Sequence, residues 1–352
     1  MDYVAKNSLS AMRSQDSVGP ATIRSVALVS PVLDDWASFA ALIGEISKEF
    51  TGTDVKFHVC AIDDGSVTAI DLHNIILPPD TCIAQIEVIH LALDLGHQRA
   101  IAVGLCEILD REEIDAAIVM DSDGEDRPVE IGTLLAVARQ HPGHIVLAER
   151  TKRSETLRFR FGYFLYKLLF RAMTGRTINF GNYSLLPKPA IRRLVHMPEL
   201  WNHLAASVIR SRFPYRTVPT PRGARYHGKS TMNLVSLIVH GLSAMSVHTD
   251  LIFVRVLLGA SLLAVASAIG IAAVAAIRFV TDLAIPGWAT TVTGDLLIIL
   301  VQASVTMIAI SLMMLAGRSN RPIIPIIEYR HYIAGREFWR LRSDPYGKWL
   351  AE

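Results

Sequence analysis

Two stretches near the C-terminus leave this chain few options. Val256–Ile277 runs 22 residues without a charge, and Leu296–Ala316 runs 21. As helices, each is long enough to span a hydrocarbon core about 30 Å thick at about 1.5 Å per residue. Gly and Ala are frequent in the first, as in helices that pack closely in lipid. Residues 278–295 between them carry one Arg and two Asp. The flanks carry Arg222, Arg225 and Lys229 before, and Arg318, Arg321, Arg330 and Arg336 after. Positive charge concentrates on the cytoplasmic side of a membrane. The pattern therefore predicts a hairpin of two spans, about 251–277 and 296–316, with both flanks cytoplasmic, in an integral protein of a bacterial inner membrane.

The rest of the chain is less apolar. Overall, 51% of the 352 residues are hydrophobic and 19% charged, with a mean hydropathy of +0.33. The apolar excess lies in 251–316, and residues up to about 230 read as a soluble domain. A net charge of +2 gives no argument for a nucleic-acid partner. Cys60, Cys82 and Cys106 are odd in number, far apart and set in apolar runs, so they read as reduced core residues. Residues 1–20 are polar, with no apolar run of the signal-peptide kind, and read as a flexible lead-in.

Within the soluble part, β-rich runs alternate with helical patterns. Strands are predicted at 23–30, 55–62, 86–93, 116–120 and 145–148. Helices are predicted at 35–50, with Asp35 at the N-cap, at the end of 96–109 and at 129–140. Such alternation predicts a Rossmann-like α/β domain with a mostly parallel sheet. In that topology the C-terminal strand ends share one rim, where ligands bind. Asp34, Asp63, Asp64, Asp121 and Asp123 all fall at those ends. Residues 150–176 read as a basic amphipathic helix, packed on the sheet or lying on an anionic surface. Residues 232–249 read as an interfacial helix, and 318–352 as a cytoplasmic tail.

The densest signal is Asp121-Ser122-Asp123-Gly124-Glu125-Asp126, directly after an apolar strand. Four carboxylates in six residues suit either open water or a hard divalent cation such as Mg²⁺ or Mn²⁺ holding a diphosphate. The motif is short, and a solvated acidic turn is the competing reading.

Taken in order, the motifs resemble a family. They are Pro31-Val32-Leu33-Asp34-Asp35, Ile62-Asp63-Asp64-Gly65-Ser66 and Leu95-Gly96-His97-Gln98-Arg99-Ala100 with Gly104. Then come Asp121-Ser122-Asp123 with Asp126 and Pro128, Gly181-Asn182-Tyr183-Ser184, and Arg222-x-x-Arg225-x-x-Gly228-x-Ser230. The set resembles the family 2 glycosyltransferases of GT-A fold, and most of all their polyprenyl-phosphate branch, which includes dolichol-phosphate mannose synthase. Motifs carry the likeness over 23–232, and layout carries it over 233–317.

The resemblance implies a GT-A domain at about 21–231. It also implies inverting transfer from a nucleotide diphosphate sugar, UDP-linked or GDP-linked, to a polyprenyl phosphate, with Mg²⁺ or Mn²⁺. It assigns Pro31, Asp34, Asp63, Asp64, Gly96, Arg99, Asp121 and Ser122 to the nucleotide sugar. Asp121 and Asp123 fall to the metal, with Glu125 as a third ligand where relatives often have Gln. Arg222, Arg225, Lys229 and Ser230 fall to the acceptor phosphate, with ordinary membrane-flanking charge as the bland reading of the cations. Asp121, Asp123, Asn182 and Arg225 would form the catalytic set. His97, His203 and His227 lie near these elements and are read chiefly as solvated or structural.

Two departures stand out. Where the family commonly has Asp-x-Gly-Asp-Phe-Arg, this chain has Asn179-Phe180-Gly181-Asn182-Tyr183-Ser184, so both acids are amides. Thr231 stands where many relatives have Lys. An amide cannot take a proton at neutral pH, but a lipid phosphate is already ionised and needs no base. A glycan acceptor, or a non-catalytic sugar-nucleotide-binding scaffold, remains as an alternative. The Q-x-x-R-W motif of processive polysaccharide synthases is absent. Homo-oligomers are compatible with the resemblance.

Overall fold

The structure is a computed structural model. It describes residues 23–70, 75–78, 80–150, 168, 170–175, 180–228, 234–281, 287–319, 321–339, 341–343 and 349–351. The expected lead-in at 1–20, most of the basic helix at 150–176, and Lys229, Ser230 and Thr231 lie outside the described residues.

The soluble part opens with β1 (Ser25–Val32), α1 (Trp36–Glu49), β2 (Lys56–Asp63), the short β3 (Ile76–Leu77) and β4 (Ile83–Leu91). It continues with α2 (His97–Leu109), β5 (Ala116–Val119), α3 (Glu130–Gln140) and β6 (Ile145–Arg150). Then come β7 (Ser184–Pro187), α4 (Lys188–Val195), α5 (Leu204–Ser211) and β8 (Tyr215–Thr220). Asp35 occupies the N-cap position of α1 but its side chain makes no capping hydrogen bond.

The main sheet has the order β8-β6-β7-β5-β1-β2-β4-β9, where β9 is Ile333–Trp339. Its pairs are parallel except at β7 and β9, which run against their neighbours. The α/β expectation therefore holds, as a mixed, mostly parallel sheet. Along β1 the side chains alternate between two apolar layers. Val26 and Leu28 share one apolar cluster with Phe39, Leu42 and Ile46 of α1, and Ala27 and Val29 share a second with the buried residues of α2. Gly104 lets α2 approach closely: a Cβ there would sit 2.5 Å from a methyl of Val29 and 3.0 Å from Ile62.

The second unit of the chain contains α7 (Thr249–Val280) and α8 (Trp288–Ser319), each 32 residues. Both are long and apolar enough to cross a membrane. They run side by side and antiparallel. Gly270 abuts Leu296, and the Ser261 hydroxyl lies 3.2 Å from the Met307 sulfur. The second helix begins at Trp288, well before the expected span, so part of the predicted linker is helical. Arg255, the one charge in the first apolar run, donates to the Ala172 carbonyl at 2.6 Å. Ahead of α7, residues 234–246 form the expected helix, α6 (Leu234–Ser246).

The expected tail needs correction. After the hairpin the chain returns to the sheet. Residues 325–332 form two short helical turns, with Tyr329 buried against the α2 layer and the Trp201 and Tyr332 rings edge-on at 5.6 Å. β9 then pairs antiparallel with β4, from Ile86↔Trp339 to Leu91↔Ile333. The strand reads as polar because only one of its faces is covered, and Arg336 on it pairs with Glu107 at 3.1 Å. Beyond it, β10 (Leu341–Ser343) and β11 (Trp349–Ala351) form a small antiparallel sheet with β3.

An uncovered, apolar β4 edge is an aggregation site. Truncation after Pro322 is expected to lower the melting temperature of the detergent-solubilised protein by several degrees or more and to shift it into aggregates on size exclusion. An unchanged melting curve would show that the return strand carries no stability.

Candidate active site

Four strand ends build one rim. The parallel registers Val32↔Asp63 and Asp63↔His90 set the ends of β1, β2 and β4 level, and β5 ends alongside β1 at Val29↔Val119. Asp63 closes β2, and Asp34, Asp64 and Asp121 lie within two residues beyond those ends. Pro31 is the penultimate residue of β1, its carbonyl 3.5 Å from the buried Ser122 hydroxyl.

Asp34 adopts the left-handed conformation, φ 52°. Through one oxygen it accepts the Val67 and Thr68 amides and the Thr68 hydroxyl, each at 2.9 Å. Those donors, Thr68 foremost, hold its carboxyl below the usual range. The residue expected at the ribose thus organises the 66–68 loop. Asp63 has protein partners on both oxygens: the Ser66 amide at 2.9 Å and His90 Nδ1 at 2.8 Å. Asp64 is 3% exposed and accepts the Leu95 amide at 2.8 Å. Burial dominates and pushes its carboxyl up to about 6, against the Leu95 bond and with Asp94 reinforcing the rise. Gly65, φ 82°, lets the chain turn where a Cβ would lie 2.8 Å from the Asp94 nitrogen.

Gly96 precedes α2, with φ 88°. Arg99 follows it as an exposed residue on the first turn. His97 reaches Asp121 at 3.2 Å and Asn182 at 2.9 Å. Burial favours its neutral form, but the charges of Asp121, Asp64 and Asp126 outweigh it and raise its pKa overall. Asn182 is not isolated: its carbonyl accepts from Gln98, whose own carbonyl accepts the Leu204 amide that starts α5. Asn182 thus ties the loop before β7 to α2 and α5. His203 caps α5, accepting the Ala206 amide at 3.4 Å, which is a structural role.

The acidic loop is braced from within. Asp126 is buried and accepts the Asp121 amide, and Asp123 accepts the Glu125 amide at 2.9 Å. Residues 222–226 lie along it. The Gly223 amide donates to the Glu125 carbonyl at 2.8 Å and the Tyr226 amide to the Asp123 carbonyl at 2.9 Å. Gly223 and Gly124 face each other with no room for a Cβ. Tyr226 donates to Glu45 at 2.6 Å, fixing the strand of residues to α1. Arg225 bridges Asp123 at 2.7 Å and Glu125 at 3.1 Å, and Arg222 also pairs with Glu125.

These pairs set opposite electrostatic outcomes on neighbours. Burial, then Asp121 and Glu125, raise the Asp123 pKa despite Arg225. For Glu125 burial is outweighed by Arg222 and Arg225, and its pKa falls. Glu125, the third expected metal ligand, is paired with Arg222 and Arg225. Among the described residues no three His, Cys, Asp or Glu side chains converge to hold an ion. The donor chemistry still suits one. Asp121 and Asp123 offer hard carboxylate oxygens two residues apart on a braced loop, and pair with His97 and Arg225. Sequence reasoning missed His90, Glu45 and Tyr226, because each acts through a partner distant in the chain.

No family model matches the sequence, and no curated protein matches it. The fold is similar to solved structures of glucosyl-3-phosphoglycerate synthase from Mycobacterium tuberculosis. The complex of that enzyme with Mn²⁺, UDP-glucose and phosphoglyceric acid aligns with a TM-score of 0.44 at 14% identity, over 65% of this chain and 80% of that one. Its complex with Mg²⁺ and UDP aligns with a TM-score of 0.43 at 13% identity, over 70% and 82%.

Asp64 yields a prediction with a defined sign. Its pKa is raised on folding, so its contribution favours the folded state at low pH and is lost as pH rises through about 6. Asp64→Asn is therefore expected to stabilise the ligand-free protein at pH 8 by about 1–3 kcal/mol. The gain should shrink toward pH 4. Melting curves at the two pH values test this, and equal gains at both would refute it.

Proposed function

We propose that this protein is a membrane-anchored inverting glycosyltransferase. It moves a sugar from a nucleotide diphosphate sugar, UDP-linked by preference, to a polyprenyl phosphate at the cytoplasmic membrane face, for cell-envelope glycan assembly or modification. The observation that carries the reading is the meeting, on one rim of a mostly parallel sheet, of Asp63, Asp64, Asp121 and Asp123 with Arg222 and Arg225, in a chain that also carries two helices long enough to span a bilayer.

In this reading Asp63 and Asp64 accept N–H groups of the base, and Asp34 lies toward the ribose. Asp121 and Asp123 would hold Mg²⁺ or Mn²⁺, which when bound offsets the charge of the leaving diphosphate. Arg222 and Arg225 supply the guanidinium forks that suit phosphate oxygens, with Lys229 and Ser230 next in the chain. An ionised lipid phosphate attacks the anomeric carbon from the face opposite the diphosphate. Its proton is already gone, so an amide at position 182 is compatible with transfer. Asn182 positions the loop and His97; it takes no proton. The catalytic contribution of the chain is orientation and fixed charge.

The test uses the purified full chain in detergent with labelled UDP-glucose, UDP-galactose or GDP-mannose, Mn²⁺ and a polyprenyl phosphate. The expected product is a lipid-extractable, mild-acid-labile monoglycosyl phosphate, with Asp123→Ala reducing the rate at least about a hundredfold. Acid-stable glycan products would move the acceptor assignment to a glycan. Absence of transfer and hydrolysis with every donor, in protein that binds nucleotide, would favour the scaffold reading.

A further inference from the structure

The geometry points to a second job for Arg225 and Arg222: they act as built-in counter-charges that occupy Asp123 and Glu125 before substrate binds, and they change partners when the diphosphate arrives. This inference rests on the glycosyltransferase reading and deepens it by giving the two arginines a role at the metal-binding acids.

Three observations carry it. Arg225 uses separate nitrogens for Asp123 and Glu125, at 2.7 and 3.1 Å, so one guanidinium neutralises a candidate metal ligand and its neighbour together. Arg222 adds a second cation to Glu125. The backbone under these side chains is locked by the Gly223 and Tyr226 amide bonds and by the glycine pair that admits no Cβ. The arginines therefore stay in reach of the acids while their side chains, about a quarter to a third exposed, keep freedom to swing outward.

A cation on Asp123 and a guanidinium on the same carboxylate compete for the same charge. Binding of the cation with its diphosphate would free Arg225 from Asp123. Glu125, held by the two arginines and not by the ion, is the residue that keeps them parked near the site. The released fork then presents to a second phosphate.

The experiment measures Mn²⁺ binding directly, by the loss of the free-ion paramagnetic resonance signal, on full-length protein without nucleotide. Arg225→Met is expected to tighten Mn²⁺ binding about five- to twentyfold, and Arg222→Met, which is more exposed and safer for folding, by a smaller factor. Asp123→Asn should weaken it. Farnesyl phosphate binding by calorimetry gives the other arm. It should tighten severalfold when Mn²⁺ and UDP are added to wild type, and should need neither in Glu125→Gln. Mn²⁺ affinity unchanged in both arginine variants, with Asp123→Asn weakened, would overturn the counter-charge role and leave the metal site standing. Mn²⁺ affinity indifferent to Asp123→Asn would remove the metal site and this inference together.

Discussion

Crowded negative charge at the rim of a parallel sheet is the constraint around which this protein is arranged. Parallel pairing brings the ends of β1, β2 and β5 together whether or not their side chains repel. Each carboxylate delivered there needs a compensating donor. Asp34 and Asp64 find backbone amides, Asp63 finds an amide and an imidazole, Asp121 faces His97, and Asp123 and Glu125 face arginines. The donors differ in how readily they are given up. Amides within turns are fixed by the backbone, whereas a guanidinium on a partly exposed side chain can be exchanged for another cation.

That difference separates the site into a fixed half and an exchangeable half. The fixed half is where a nucleoside would be read, by groups that keep their positions. Under the proposed function, the exchangeable half is where charge would change as a diphosphate leaves. Asn182 belongs to the fixed half. Its amide is held by Gln98 and by His97, and its chemistry is that of a strut.

The sequence made much of this legible, and the reasons are local. Strands β1, β2 and β5 announce themselves because apolar runs end in Asp at the sheet rim, and α2 because Gly96 and the small residues after it form a recognisable start. The two apolar helices are visible from length and lack of charge alone. Less legible were β7 and β8, short strands at the side of the sheet with weak alternation. β9 was hidden for a physical reason: an edge strand covered on one face reads as a polar tail. The ion pairs of Glu125 were not legible because its partners lie 97 and 100 residues away. A carboxylate's role depends on what the fold sets opposite it, and spacing within a motif carries no such information.

The return of β9 also fixes a timetable. β4 is complete at Leu91, but the strand that covers it ends at Trp339, and two bilayer-length helices must be made in between. At synthesis rates of about 5–20 residues per second, the open edge of the sheet waits roughly 10–50 seconds for its neighbour. Completion of the sheet is thereby conditional on emergence of the hairpin, and a chain stalled within its apolar segments displays a raw strand edge to the surveillance machinery of the cell.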